Sequence, residues 1–282
     1  MLKQSDSQFC YPGTLYSERM HQVNEAVAIR VFTFEPAIDT KSIPIVLVPG
    51  MATVIESFHG ILKGVSKNNP VLYIETREKS SSRLSGQVKF DMESLGDDIL
   101  SVIDKSGFEE NNYVLAGYSL GATAIVDCYQ KLLKKPICVI LIEPTPVFRL
   151  PIWSPILLYL AVPLYGILKP FAKWYLRNFK INALDDHEIL QITYRALDQA
   201  EPRKLKNTLL SISGYASWNR IETVDCPVLV VATSKDTMHE HSDIEKMAGM
   251  FVKSEYTDME NNTRTHSEEM ATVILDYVKK IS

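Results

Sequence analysis

The sequence lacks the features that mark several large classes of protein. It has no excess of one charge, because 30 basic residues face 34 acidic residues and the net charge is −4. General nucleic-acid binders carry a strongly basic surface, so no nucleic-acid partner is predicted. The sequence also has no internal repeat and no low-complexity tract, and its hydrophobic content of 46% is that of an ordinary globular protein. A disordered chain, a collagen-like repeat and a small disulfide scaffold are therefore excluded.

Cysteine is scarce, and the N-terminal segment has no apolar core. The cysteines are widely spaced and form no C-x-x-C pair; they are Cys10, Cys128, Cys138 and Cys226. We expect reduced, mostly buried thiols, as in a reducing compartment. Residues 1–13 contain no apolar stretch of the ~7–15 residues that a secretory signal needs, so we predict a cytoplasmic protein.

Apolar runs alternate with helical segments along most of the chain. Runs that predict strands lie at 26–34, 43–48, 71–74, 113–116, 137–142, 228–232 and 251–257. Helices are expected at 54–67, 91–106, 118–133, 242–250 and 267–280, the last with a capping-box pattern at Thr265 and Glu268. Strands that alternate with helices predict an α/β fold with a mostly parallel sheet and right-handed crossovers.

The alternation stops between residues 147 and 222 and then resumes. This interruption predicts an insertion into one sheet, so that 1–146 and 223–282 form a single core and 147–222 form an accessory piece. The insertion follows the C-terminal end of a strand, which is the edge where α/β sheets bind ligands.

A G-x-S-x-G motif lies where a buried strand gives way to an apolar helix, at Gly117-Tyr118-Ser119-Leu120-Gly121. That context suits a nucleophilic serine, which must stand on a sharp turn with its hydroxyl exposed. A serine also needs a base and a group that orients the base. His266, in the loop before the last helix, is the candidate base. Asp236, after the strand at 228–232, is the candidate acid, and Glu143 is the alternative acid.

With these residues the chain resembles the α/β-hydrolase fold family over nearly its whole length. The order of nucleophile, acid and histidine, here Ser119, Asp236 and His266, is the order that the family uses. The resemblance implies an oxyanion hole formed by the backbone N–H groups of Met51 and Leu120. The histidine that usually precedes the glycine of this loop is replaced by Pro49.

A second departure from the family follows the fourth strand. Many relatives carry D-x-R-G-x-G-x-S, whereas this chain reads Glu75-Thr-Arg77-Glu78-Lys-Ser80-Ser-Ser82, without either glycine. We interpret Arg77 as one partner of a structural ion pair, and contact with a substrate carboxylate is the alternative.

The resemblance implies that the insertion is a helical cap over the active site. Residues 150–168 carry no charge. Because a membrane span needs ~20 apolar residues, a transmembrane helix is the alternative interpretation of this stretch. Residues 169–180 alternate basic and aromatic side chains, a pattern typical of an interfacial helix, so peripheral membrane contact is expected. The predicted lining of a substrate pocket is Trp153, Leu157, Leu158, Tyr165 and Trp174.

These residues predict a serine hydrolase that cleaves carboxylic esters or thioesters of a lipophilic acid through an acyl-enzyme. No cofactor and no metal is implied. Acyl transfer to an alcohol or amine, and peptidase or lyase chemistry, use the same triad and stay open as alternatives. A non-catalytic binding protein of the same fold is a further alternative, which a missing triad residue would favour; all three residues are present.

Overall fold

The computed structural model of the chain describes residues 3–4, 9–38, 42–151, 154–180, 187–235 and 240–282. The strands are β1 (Lys3–Gln4), β2 (Leu15–Asn24), β3 (Val27–Glu35), β4 (Ile45–Val48), β5 (Val71–Ile74), β6 (Arg83–Leu84), β7 (Val114–Tyr118), β8 (Cys138–Ile142), β9 (Val228–Ala232) and β10 (Ser254–Asp258). The helices are α1 (His59–Val65), α2 (Met92–Asp104), α3 (Leu120–Cys128), α4 (Ser154–Tyr175), α5 (His187–Gln199), α6 (Pro202–Ile212), α7 (Trp218–Ile221), α8 (His241–Met250), α9 (Asn262–Thr265) and α10 (Glu268–Ile281).

One sheet connects all of these strands, in the order β1-β2-β3-β5-β4-β7-β8-β9-β10, with β6 paired to β3. The strands from β5 to β10 along this order are parallel, and β2 and β3 add an antiparallel edge. Every residue of β4, β5, β7, β8 and β9 is buried, which explains why their sequences are continuous apolar runs. The predicted mostly parallel α/β fold is confirmed.

Helices cover both faces of the sheet. The apolar faces of α2, α3 and α8 pack on one side and those of α1 and α10 on the other, and each side has its own cluster of buried side chains. Burial of one such side chain stabilises the fold by about 1.5–3 kcal/mol. The four cysteines are free and buried within these layers, as expected.

The predicted capping box at the last helix is wrong. Thr265 is the last residue of α9, where it is buried, and its hydroxyl donates to the carbonyl of Asn262 at 3.0 Å. Ser267 caps α10 instead, because its hydroxyl accepts from the N–H of Glu269 at 3.2 Å. The one-turn helix α9 therefore displaces the start of α10 and leaves His266 between the two helices.

The insertion supplies α4 to α7 between β8 and β9. β8 is the sixth strand when the two-residue strands β1 and β6 are set aside. The base of the insertion is joined to the core by a bridge between Val147 and Ala216, and by a 2.7 Å hydrogen bond from the Tyr215 hydroxyl to Asp127. No helix in the described ranges has the length and apolar character needed to cross a membrane.

Candidate active site

Ser119 occupies the turn between β7 and α3. Its backbone has φ 49° and ψ −112°, a left-handed conformation that is strained for any residue other than glycine. Such strain costs about 1–3 kcal/mol and persists where the surroundings enforce it. Here β7 ends at Tyr118 and α3 begins at Leu120, so the strain comes from joining a buried strand to a buried helix through a single residue. This is the geometry of a nucleophile elbow.

The two glycines of the motif are required by close packing around this turn. A Cβ atom at Gly121 would lie 2.4 Å from the carbonyl oxygen of Val48 in β4. A Cβ atom at Gly117 would lie 2.7 Å from the backbone nitrogen of Ala122. Both distances are shorter than real Cβ contacts, so a side chain at either position would force the strand and the helix apart. The motif therefore fixes the position of Ser119 by sterics.

The segment 49–53, which the sequence predicts to carry an oxyanion-hole donor and which is called the oxyanion loop below, contacts this turn. A Cβ atom built on Gly50 would lie 3.1 Å from the Cβ atom of Ser119. Leu120 is the first residue of α3, so its N–H is one of the amides for which the helix supplies no partner. The sequence predicts Met51 and Leu120 as the two backbone donors. They are the residues that follow Gly50 and Ser119, and the contact between Gly50 and Ser119 brings these two segments together.

His266 lies beside the same turn, between α9 and α10. Its ring packs against the ring of Tyr118, the neighbour of Ser119, with centroids 4.7 Å apart and an edge-on tilt of 61°. Its Nδ1 atom is 2.9 Å from the carbonyl oxygen of Asn262. Because a carbonyl can only accept, the proton of the neutral ring belongs on Nδ1, which leaves Nε2 as the acceptor. That is the tautomer a general base needs toward a serine hydroxyl.

The surroundings of His266 keep its ring neutral. Burial lowers the pKa of His266 below its ordinary value of 6.5, and the nearby His59 lowers it further, while the hydrogen bond to Asn262 opposes both effects. The aromatic rings of Phe58 and Tyr118 pack against the half-buried imidazole and form an apolar side of its surroundings. A histidine that is neutral at pH 7 can accept a proton.

A buried carboxylate connects the segments that carry these residues. Glu143 follows β8, is fully buried and has a positive φ of 48°. It accepts hydrogen bonds from the hydroxyls of Tyr118 and Thr233. The side-chain amide nitrogen of Asn262, in its hydrogen-bonding orientation, lies 2.7 and 2.8 Å from the two carboxylate oxygens and 2.8 Å from the Tyr118 hydroxyl. This Glu143 network holds together the elbow, the end of β9 and the start of α9.

The acid of the proposed triad is not located by these contacts. Asp236, the first candidate, lies outside the described residues. Glu143, the alternative, is engaged by the elbow tyrosine, by Thr233 and by Asn262. In the part of the chain that the structure describes, the contacts of His266 Nδ1 are the Asn262 carbonyl and, at 3.4 Å, the Thr265 hydroxyl, and neither is a carboxylate.

The cap residues that we expected to line a pocket do not share one environment. Trp153 lies outside the described residues, and so does the side chain of Leu157. Leu158 is half-buried, and the hydroxyl of half-buried Tyr165 donates to the carbonyl of Leu197 at 2.7 Å. Trp174 is 51% exposed and stacks on Phe171 at the surface of α4, so its position does not support a lining role.

Arg77 forms the structural ion pair that the sequence predicts. Its guanidinium donates to both carboxylate oxygens of Asp98, at 2.8 to 3.2 Å, and both side chains are almost completely buried. The backbone N–H of Arg77 also donates to Asp98, at 2.7 Å. This pair fixes the start of the segment 77–82, which contacts the oxyanion loop through Lys79.

Sequence reasoning missed several polar residues at this edge of the sheet. Thr145, two residues after Glu143, lies with its hydroxyl 3.4 Å from that of Ser119. Asn262, which fixes the His266 tautomer, stands four residues before the histidine in the same loop. Both follow the C-terminal ends of parallel strands, and that position was the available signal.

Comparison with solved structures identifies the fold. A hydrolase from Pseudomonas aeruginosa matches 93% of this chain and 98% of its own, with a TM-score of 0.76 and 13% identity. An esterase from Exiguobacterium antarcticum matches 93% of this chain and 100% of its own, with a TM-score of 0.76 and 14% identity. An enol-lactonase from Burkholderia xenovorans matches 95% and 97%, with a TM-score of 0.75 and 14% identity. The chain has the α/β-hydrolase fold.

Sequence comparisons add nothing to this assignment. No family model matches the chain, and a search of curated proteins gives no match.

Proposed function

We propose that this protein is a serine hydrolase that cleaves carboxylic esters or thioesters of a lipophilic acid. The observation that carries the proposal is the strained Ser119 on its strand-to-helix turn, with the His266 ring packed on the adjacent Tyr118. Structural neighbours described as an esterase, a lipase and an enol-lactonase are consistent with this chemistry. Because these three share 14% or 15% identity with the chain, they support the fold and leave the reaction to the site.

In the proposed mechanism, the hydroxyl oxygen of Ser119 attacks the carbonyl carbon of the substrate. Nε2 of His266 takes the hydroxyl proton and then returns it to the leaving alcohol or thiol. The N–H groups of Met51 and Leu120 stabilise the charge on the substrate oxygen, at ~3 kcal/mol for each donor. Asp236 is the proposed acid that stabilises the imidazolium. Water then attacks the carbonyl carbon of the acyl-enzyme. His266 takes a proton from this water and returns it to the Ser119 oxygen, which releases the acid.

The test is a panel of p-nitrophenyl esters from acetate to palmitate, assayed with the wild type and with Ser119→Ala. Each buried CH₂ group contributes ~0.8 kcal/mol, so kcat/KM should rise about fourfold per carbon until the pocket is full. Ser119→Ala should leave only a trace of activity, whereas Ser213→Ala, at an exposed position, serves as the matched control. Wild-type activity that peaks at acetate would overturn the lipophilic substrate, and full activity of Ser119→Ala would overturn the nucleophile.

A second arm of the same assay addresses acyl transfer. An added alcohol competes with water for the acyl-enzyme, and product analysis gives the ratio of new ester to free acid. A hydrolase yields mainly the acid at moderate alcohol concentrations. Predominance of the new ester would reassign the protein as an acyltransferase with the same triad.

We further propose that the cap contacts a lipid surface through α4. Nine exposed apolar side chains fall on one half of this helix at 3.6 residues per turn. They are Ile156, Tyr159, Leu160, Leu164, Ile167, Leu168, Phe171, Trp174 and Tyr175. Lys169 and Lys173 lie on the other side, where both pair with Asp198 of α5. Two residues of the expected basic stripe are thus paired within the insertion, whereas Arg177 is exposed, and we expect apolar contact rather than charge to drive membrane binding.

Vesicle co-sedimentation tests this surface. The wild type should bind phosphatidylcholine vesicles with little dependence on salt, and the double substitution Phe171→Ser and Trp174→Ser should release it. Val252→Ser, at an 80% exposed position outside the cap, is the matched control. Binding only to anionic vesicles would contradict an apolar contact, and self-association without vesicle binding would assign the surface to a second copy of the chain.

A further inference from the structure

Lys79 is a buried lysine whose ammonium group reaches the oxyanion loop. The residue is 5% exposed, and its Nζ donates to the carbonyl oxygen of Gly50 and, at 3.1 Å, to the hydroxyl of Thr53. A carboxylate oxygen of Glu78 lies 3.2 Å from the same Nζ. Lys79 therefore makes two hydrogen bonds to the loop and one ion-pair contact.

The Gly50 carbonyl, which accepts the hydrogen bond from Lys79, belongs to the same peptide group as the N–H of Met51. The hydroxyl of Thr53 donates to this carbonyl oxygen as well, at 2.7 Å, so two donors fix its direction. In a trans peptide group the C=O and N–H bonds point in opposite directions, and the group is planar. Fixing the Gly50 carbonyl toward Lys79 therefore fixes the Met51 N–H in the opposite direction, within the same plane.

The contact also changes the strength of that donor. A hydrogen bond from a charged group is stronger than one between neutral groups, and burial strengthens it further. Hydrogen bonds in a chain polarise one another, so an amide whose oxygen accepts from an ammonium group has a more acidic N–H. The Met51 N–H should thus bind a developing negative charge more strongly than an ordinary backbone amide does.

We propose that Lys79 is a positioning residue that orients and polarises the Gly50–Met51 peptide group as an oxyanion-hole donor. The inference rests on the proposed function, and it adds a residue that touches neither the substrate nor Ser119. Lys79 acts from the segment 77–82, which the buried pair of Arg77 and Asp98 holds in place.

Glu78 contacts the ammonium group of Lys79, and Lys204 contacts the Lys79 backbone. Glu78 is 2% exposed, and within the described ranges its carboxylate accepts no hydrogen bond and meets only the ion pair with Lys79. A buried ion pair contributes little net stability, so a stabilising role alone does not explain it. Lys204 of α6 donates to the carbonyls of Lys79 and Ser82, at 2.8 and 2.9 Å, and so ties this backbone to the cap.

The experiment removes the ammonium group without leaving an uncompensated buried charge. Glu78→Gln serves as the background, and Lys79→Met is added to it, which shortens the unbranched side chain by only its terminal atom. Lys135→Met is the matched control, because Lys135 also donates to backbone carbonyls, those of Tyr129 and Gln130, but follows α3 at the opposite edge of the sheet. Thermal melting of each variant reports folding, and a burst assay counts active sites.

Two readouts separate positioning of the oxyanion donor from a structural role. Adding Lys79→Met should lower kcat per active site by about tenfold to a hundredfold and change KM by less than threefold, because the donor acts mainly in the transition state. The affinity for an alkyl trifluoromethyl ketone, whose adduct with Ser119 places an oxyanion in the hole, should weaken by the same factor. Lys135→Met should change neither quantity.

The outcomes distinguish this inference from the proposed function. An active wild type whose kcat and inhibitor affinity survive the addition of Lys79→Met would overturn the inference and leave the hydrolase standing. A loss of active sites with unchanged kcat per site would reduce Lys79 to a structural residue, which also overturns the inference. A wild type that neither hydrolyses the ester panel nor binds the ketone would overturn the proposed function, and the inference with it.

Discussion

Replacing Gly60 with alanine should displace His266 without touching any side chain of the site. Gly60 lies in the first turn of α1, and a Cβ atom there would be 2.6 Å from the carbonyl oxygen of His266 and 2.8 Å from the Cα atom of Ser267. Ordinary contact begins at 3.4 Å, so the backbone at His266 must move by 0.8 Å (3.4 − 2.6). A misplacement of about 1 Å in a catalytic group costs ~100-fold in rate. We therefore expect kcat/KM to fall by roughly 30- to 100-fold.

The same substitution should have a small effect on stability. Alanine gains about 0.5–1 kcal/mol over glycine in a helix, and overpacking costs about 1–3 kcal/mol, so the free energy of unfolding should fall by no more than ~2.5 kcal/mol. Gly249→Ala, near the end of α8 with no atom within 4 Å of its Cβ position, is the matched control and should keep full activity. Urea titration and ester hydrolysis measure both quantities. Wild-type kcat/KM in a folded Gly60→Ala protein would refute the role of His266, or its dependence on α1.

Three further predictions concern ionisable groups. Because the folded pKa of His266 lies below 6.5, the acid limb of kcat/KM should be centred below pH 6.5; an acid limb centred above pH 7 would contradict this. Asp236→Asn should lower kcat by ~10²–10⁴-fold while Glu143→Gln mainly lowers stability, and the reverse result would make Glu143 the acid. Asp98→Asn leaves the guanidinium of Arg77 buried and unpaired and should cost about 3–5 kcal/mol in urea titrations; a loss below 1 kcal/mol would show that the pair is dispensable.

The sheet could be predicted from the sequence because its strands are buried on both faces. A strand such as Val228–Ala232 is a continuous apolar run with polar or turn residues at each end, and its predicted bounds are those observed. The C-terminal strand was less clear: 251–257 was predicted and Ser254–Asp258 is observed, because β10 is an edge strand with exposed, polar residues. The sequence therefore predicts a strand well when the strand is buried on both faces, and less well when only strand propensity marks it.

The positions of Ser119 at a strand-to-helix turn and of His266 in the loop before the last helix could be predicted, because each depends on local sequence and chain order. The Glu143 network and the contacts of Lys79 with Gly50 and Thr53 could not, since they join residues 25 or more positions apart through loop conformations that have no periodic pattern. The orientation of α4 illustrates the same limit. Its basic residues follow a helical spacing that fits an outward face, but Asp198 on a neighbouring helix turns Lys173 inward. The direction of the Lys173 side chain thus depends on an ion pair between α4 and α5, which the residue spacing within α4 does not reveal.

Backbone strain gives evidence for the site that is independent of the G-x-S-x-G motif. Five residues other than glycine have positive φ in the described ranges, and four of them, Ala52, Ser119, Glu143 and Glu260, follow the C-terminal ends of β4, β7, β8 and β10. At about 1–3 kcal/mol each, this strain is a substantial fraction of a typical folding free energy of ~5–15 kcal/mol. Chance would spread it over both edges of the sheet. Its concentration at the edge that carries Ser119 is expected if the loops there are selected for the placement of functional groups and not for stability.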